Sequence, residues 1–118
     1  QLFTNLIDNA IKYSRPEIIP YIKITAERIH GNETTHPAAN KQREYYAIKI
    51  TDNGIGFENK YSTKIFELFQ RLHGKNEFSG TGIGLAIVKK IVTNHNGFSI
   101  AEGRPNIGST FTLFIPKE

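Results

Sequence analysis

The 118-residue chain contains no cysteine, which excludes both a disulfide framework and a thiolate metal site. No apolar run approaches membrane-spanning length, and no signal peptide is recognisable at Gln1. Basic runs and aromatic-basic motifs are also missing, so the formal charge of +4 suits an anionic ligand without arguing for nucleic acid. There is no initiator methionine, and helical periodicity is already under way at Leu2 with no capping residue ahead of it. A fragment of a longer protein is therefore expected. The length and a composition of 38% hydrophobic and 22% charged residues fit one domain around a single core, in a cytosolic setting.

Glycine is concentrated where it matters. The stretch Phe78 to Gly97 places Gly80, Gly82 and Gly84 within five positions and runs directly into an amphipathic segment. Ile83, Ile87 and Ile91 share a stripe there, with Val88 and Val92 beside it, and Asn96-Gly97 marks the stop, with Gly97 expected in the left-handed conformation. Bare N–H groups at a glycine-rich helix start can face an anion closely, and a phosphate chain is the natural candidate. A simple turn accounts for the same glycines. The spacing is neither the dinucleotide fingerprint nor a P-loop, since no Gly-Lys-Ser/Thr follows.

Gln1 to Tyr13 reads as a helix whose apolar face is Leu2, Phe3, Leu6, Ile7, Ala10 and Ile11. Asn5, Asn9 and Lys12 align on another stripe. A solvated face explains polar stripes in general, but asparagine is a poor helix former, and two amide oxygens one turn apart can serve a hard cation such as Mg²⁺. After Ser14-Arg15-Pro16 and Pro20, the alternation of Ile22, Ile24 and Ala26 with Lys23, Thr25 and Glu27 predicts a half-buried strand. Residues 30–43 are polar and predict a long, mobile connection with His30 and His36 solvated. Tyr45 to Asp52 is a second strand, with Tyr46, Ile48, Ile50 and Asp52 on its inward face. An inward carboxylate needs hydrogen bonds. Asp52 can cap the turn Asn53-Gly54-Ile55-Gly56, or accept from an exocyclic amino group in a pocket opened by Gly54 and Gly56. Phe98 to Glu102 and Thr110 to Ile115 read as closing strands, with Phe111, Leu113 and Ile115 inward and Pro116 as the stop.

Taken together, these motifs resemble the catalytic ATP-binding domain of sensor histidine kinases, within the larger group that includes gyrase, Hsp90 and MutL. Asn5 to Tyr13 is similar to that family's N box and Asp52 to Gly56 to its first glycine box. Phe66-Glu-Leu-Phe69 resembles the F box, Gly80 to Leu85 the second glycine box, and Gly108 to Phe111 the terminal box; Leu68 departs from the family's frequent proline. The resemblance covers residues 1–118 as one domain truncated at its N-terminus. It implies an α+β fold, a two-layer α/β sandwich of Bergerat type: a mixed, mostly antiparallel sheet, helices on one face, and a mobile ATP lid at about 57–79. Within the lid, Ser62 is expected to cap a short helix whose apolar stripe is Ile65, Phe66, Phe69 and Leu72.

The resemblance also implies site roles. Asn9, with Asn5, would hold Mg²⁺. Asp52 would accept from the adenine amino group, with Gly54, Ile55 and Gly56 around it. Asn5, Lys12 and Arg71 would position and neutralise the phosphates, and Gly80, Thr81, Gly82, Ile83, Gly84 and Leu85 would cradle them. Tyr13, Phe66, Phe69 and Thr110 would complete the ATP site.

Hydrolases and serine kinases of the group usually carry glutamate at the start of the N box as general base. This chain has Asn5 there, which cannot take a proton at neutral pH. The implied activity is therefore donation of the γ-phosphate of Mg-ATP to a histidine in two-component signalling. None of His30, His36, His73 or His95 stands in the family's acceptor context. The acceptor belongs on a dimerisation helix hairpin, with a response-regulator receiver domain downstream. The full-length phosphoprotein is expected to be a homodimer, cytoplasmic in this part even if membrane-anchored elsewhere, with no nucleic-acid or membrane contact by this domain. The fragment alone is expected to turn over little. An ATP hydrolase of the same fold and a nucleotide-binding regulatory module without phosphotransfer are the competing functions.

Overall fold

The computed structural model describes residues 2–62, 65, 66 and 84–117. Helix α1 spans Leu2–Lys12, strands β1 and β2 span Ile22–His30 and Glu44–Asp52, helix α2 spans Gly84–Asn94, and strands β3 and β4 span Phe98–Arg104 and Gly108–Pro116. Single 3₁₀ turns occur at Gly31–Glu33 and Asn59–Tyr61. The strand order is β1-β2-β4-β3, and all three pairings are antiparallel among the described residues. Both helices pack on one face, as a two-layer sandwich requires.

The main core lies under the helices. Leu6 and Tyr13 of the α1 end, Leu85, Val88 and Val92 of α2, and Ile50, Ala101, Phe111 and Leu113 of the sheet are buried together with Phe57, Ile65 and Phe66. This rotates both helices from the faces that periodicity favours. On α1, Leu6 and Ala10 are buried while Phe3 and Ile11 are 42% and 54% exposed, so the half-buried Asn5 and Asn9 border the buried stripe. On α2, Ile87 and Ile91 flank the core stripe instead of forming its centre. Broad apolar faces leave the rotation open, and the volume between sheet and helix decides it.

The α2 stop also differs from expectation. Asn96 takes the left-handed conformation, with φ of 63°. The Asn96 N–H donates to the Thr93 carbonyl and the Gly97 N–H to the Val92 carbonyl, a Schellman arrangement. Gly97 is needed for a close approach, since a Cβ there would lie 2.1 Å from the Phe114 carbonyl oxygen.

The second face of the sheet is not simply solvated. Tyr45, Ala47, Phe98 and Phe114 form a smaller core there, joined by Ile29, Ala39 and Ile100. Phe98 stacks on its cross-strand partner Phe114 at 4.4 Å and on His36 at 4.5 Å. Residues 31–43 are thus a folded cover. Gly31 N–H donates to the Arg43 carbonyl, Asn40 N–H to the Tyr45 hydroxyl, and Glu33 Oε1 accepts the His30 N–H. The expectation of a mobile connection with solvated histidines is corrected by these bonds. Consecutive apolar residues from Tyr45 to Ile48 put apolar side chains on both faces of β2, which is why both faces are covered. Strand β1 is corrected in the other direction. It is an edge strand exposed along most of its length, with Ile24 46% exposed, because α2 packs on β3 and β4.

His36 couples this second core to pH. Its Nδ1 accepts the Ala38 N–H at 3.0 Å, which requires an unprotonated nitrogen. Burial first, and Lys41 second, push its pKa below the ordinary histidine value. A lowered folded-state pKa contributes stability that is present at high pH and is lost as pH falls. Melting temperature should therefore drop between about pH 7 and pH 5. The drop should be smaller in His36→Phe, which keeps the ring on Phe98 and cannot titrate. Equal pH profiles for the two proteins would refute this role.

Candidate functional site

Strand β2 delivers Asp52 to the rim of the main core, two residues beyond the fully buried Ile50. Its carboxylate accepts the Gly54 N–H at 2.9 Å and lies beside the backbone N–H of Ser109, its register partner on β4, which favours the ionised form. Burial raises the Asp52 pKa, and the two N–H donors only partly offset this. A carboxylate has about four lone-pair directions, so two donors leave capacity for a ligand N–H. Asp52 thus caps the following turn, and its carboxylate retains acceptor capacity.

The turn after Asp52 is packed between two other parts of the chain. The Ile55 N–H donates to the Tyr13 carbonyl at 2.9 Å, and the Ile55 carbonyl accepts the Asn106 N–H from the β3–β4 turn at 2.7 Å. A Cβ on Gly54 would lie 2.5 Å from the Tyr13 oxygen, and one on Gly56, whose φ is +68°, would lie 2.1 Å from the Arg104 oxygen. The glycines therefore permit close backbone approach to the end of α1 and to the hairpin.

Helix α1 meets this turn at its C-terminal end. Asn9 is one turn back, its carbonyl taking the Tyr13 N–H at 3.0 Å. Asn5, Asn9 and Lys12 are all half-buried on the helix. Two amide oxygens one turn apart are hard, neutral donors suited to Mg²⁺ whose charge is balanced by a bound phosphate chain. Among the described residues no group of three histidines or carboxylates could hold a metal without such help.

Several expected site residues also have structural roles. The Tyr13 ring belongs to the main core, where burial raises its pKa. Phe66 is 4% exposed and meets Phe111 edge-on at 5.8 Å, so it is a core ring. Leu85 buries its side chain in the same core, while Gly84 opens α2. Thr110 pairs with Thr51 on the sheet face opposite Asp52, with the two hydroxyls 3.4 Å apart. Its neighbour Ser109 shares the Asp52 face, because side chains alternate. Ser62 has helical backbone angles and closes the 3₁₀ turn Asn59–Tyr61, so it does not serve as an extended N-cap. Phe69, Arg71, Gly80, Thr81, Gly82 and Ile83 lie outside the described residues, as does Leu72.

Sequence reasoning missed Ser109 and Asn53. Ser109 becomes visible only through the β2–β4 register. Asn53 makes side-chain bonds to Tyr21 N–H and to the Ile19 carbonyl. Its position inside an Asp-Asn-Gly turn was the available signal.

A two-layer sandwich with a sheet-end carboxylate, a glycine turn and an asparagine-bearing helix defines a nucleotide-binding ATPase fold. Residues 1–118 match the model of the "Histidine kinase-, DNA gyrase B-, and HSP90-like ATPase" family, and the chain belongs to that family. More particularly, it is a catalytic ATP-binding domain of the sensor histidine kinase type. The chain is 43% identical over 116 residues to cyanobacterial phytochrome A of Nostoc sp., covering 98% of this chain and 13% of that protein. It is 38% identical over 114 residues to the sensor protein RprX of Bacteroides fragilis, covering 95% and 20%. Among solved structures, the mycobacterial sensor histidine kinase MprB superposes with a TM-score of 0.70 at 25% identity, covering 98% of this chain and 67% of that one. The chain thus spans a fifth or less of the length of these two curated relatives.

Two outcomes follow from the site geometry. Gly56→Ala should cost about 2 kcal/mol or more, from the left-handed backbone and the clash with the Arg104 carbonyl, and denaturant titration measures this. Asp52, with its raised folded-state pKa, adds stability to the ligand-free domain below the ordinary carboxylate pKa and loses it as pH rises through the folded value. Between about pH 4 and 6, the melting temperature of wild type relative to Asp52→Asn should therefore fall with rising pH, while nucleotide affinity rises. Parallel slopes would contradict the assignment.

Proposed function

We propose that this domain binds Mg-ATP and presents the γ-phosphate to a histidine on a separate dimerisation helix hairpin, in two-component signalling. The observation that carries the reading is the half-buried Asp52 carboxylate, raised in pKa and pinned by the Gly54 N–H, at a turn bonded to the end of the helix that bears Asn5, Asn9 and Lys12. Asp52 accepts the adenine amino group. Asn9 and Asn5 would hold Mg²⁺, which would supply charge neutralisation for the phosphates. Lys12 and, from the segment outside the described residues, Arg71 approach the same phosphates.

Asn5 supplies no general base. That suits an acceptor imidazole, whose neutral ring nitrogen already carries a lone pair. The nitrogen forms a bond to the γ-phosphorus as the bond to the bridging β–γ oxygen breaks, and ADP leaves with that electron pair. The domain contributes alignment and charge neutralisation. The acceptor hairpin belongs to the longer protein, a homodimeric phosphoprotein whose phosphohistidine serves a receiver domain, and this part of it works in the cytoplasm.

Calorimetric titration with ADP and a non-hydrolysable ATP analogue tests the site. Binding should be saturable, weaken when Mg²⁺ is chelated, and fall at least about tenfold in Asp52→Asn, equivalent to about 1.4 kcal/mol. A folded wild type that binds neither nucleotide refutes the site. Binding with no transfer to an added acceptor hairpin favours a regulatory module, and rapid ATP hydrolysis favours a hydrolase.

A further inference from the structure

Asn53 follows Asp52 directly, and its side chain faces away from the ligand-accepting carboxylate toward the connection between α1 and β1. Four hydrogen bonds run from this residue to that connection. Its Oδ1 accepts the Tyr21 N–H at 2.8 Å, and its Nδ2 donates to the Ile19 carbonyl at 3.0 Å. Its backbone N–H donates to the Tyr21 carbonyl at 3.3 Å, and its carbonyl accepts from Arg15 Nε at 3.0 Å. The side-chain amide is specified chemically: one end must accept and the other donate. An aspartate would set an oxygen against the Ile19 carbonyl, and a hydrophobic residue would satisfy neither partner.

The connection has little else to hold it. Pro16, Glu17, Ile19 and Pro20 are exposed, with Ile19 at 87%. A segment that buries so little apolar surface is ordered by its polar bonds or not at all. Immediately before it, α1 is bonded to the turn through Tyr13 and Ile55. Both attachments lie just beyond Lys12, where α1 ends, so together they hold the helix bearing Asn9 and Lys12 to the strand end bearing Asp52.

We infer that Asn53 is a positioning residue that, with Arg15, fixes the span between the adenine acceptor Asp52 and the phosphate-facing residues of α1. The inference rests on the nucleotide reading above. A ligand that engages one end alone does not sense that span. A ligand that bridges both ends depends on it, because the cost of ordering the two half-sites relative to one another falls on binding when the brace is gone.

The test compares adenosine with Mg-ADP, both titrated by chemical-shift perturbation so that weak binding is measurable, in wild type, Asn53→Ala, Asn53→Asp and Arg15→Ala. Asn53→Ala should lower the ratio of Mg-ADP to adenosine affinity by about tenfold while adenosine affinity changes little. Asn53→Asp keeps an acceptor for Tyr21 and should recover part of the ratio. Arg15→Ala removes one bond at the other end of the brace, and should shift the ratio in the same direction even if Asn53→Ala proves too unstable to titrate. An unchanged ratio in the folded variants, or equal losses for both ligands in step with melting temperature, overturns the inference and leaves the nucleotide site intact. A folded wild type that binds neither ligand overturns the nucleotide reading itself, and the inference with it.

Discussion

Ile55 joins three parts of the chain through its two backbone groups. Its N–H reaches the end of α1 at Tyr13, and its carbonyl takes the N–H of Asn106 at the tip of the β3–β4 hairpin. A turn made of side-chain-bearing residues could not come this close to both neighbours, which is why Gly54 and Gly56 flank Ile55. The consequence reaches the chemistry. Asp52 can remain a partly buried, hydrogen-bonded carboxylate because Gly54, held by this arrangement, presents its N–H to it. The position of α1, and therefore of Asn5, Asn9 and Lys12, is set by the same contact.

The sheet separates two kinds of packing. One face carries the main core and the proposed site, where Ile50, Phe111 and Leu113 pack beneath the helices and burial at the core rim raises the Asp52 pKa. The other carries a smaller core of stacked rings under the 31–43 cover, without any part in the proposed nucleotide contacts. The division explains a misplacement. A serine and a threonine adjacent in sequence, Ser109 and Thr110, end on opposite faces, one on Asp52 and one against Thr51. In a strand, a one-residue shift in assignment moves a side chain across the whole sheet.

The five box motifs and their order were legible because they are local. A glycine turn, an acid before it and an asparagine-bearing helix are each visible within a few residues, and their sum pointed to a histidine kinase ATP-binding domain. The strand pair β3–β4 and the two long helices were legible from periodicity. Less was visible where two apolar stripes compete on one helix. Phe3, Ile7 and Ile11 are as hydrophobic as Leu2, Leu6 and Ala10, and nothing local distinguishes the face that meets the sheet. The 31–43 cover was hidden for a different reason. Its polar composition is that of a solvated loop, and its order comes from an internal bond between Gly31 and Arg43, from the Tyr45 hydroxyl, and from the Phe98 ring, which adjoins it only in the folded chain.

The sequence by itself determined the family, the element types and the chemical identity of the groups offered to a nucleotide: amides on a helix, a carboxylate at a strand end, glycines after it. These follow from residue chemistry and short-range spacing. Tertiary structure alone decided which candidates converge and which become core. It buried the side chains of Tyr13, Phe66 and Leu85 in the main core, placed Thr110 on the far face, and set Ser109 opposite Asp52 and Asn53 against the connection between α1 and β1. The physical reason is that register and helix rotation are settled by how volumes fill between layers and by which buried N–H and carbonyl groups find partners. Both quantities exist only once distant segments meet.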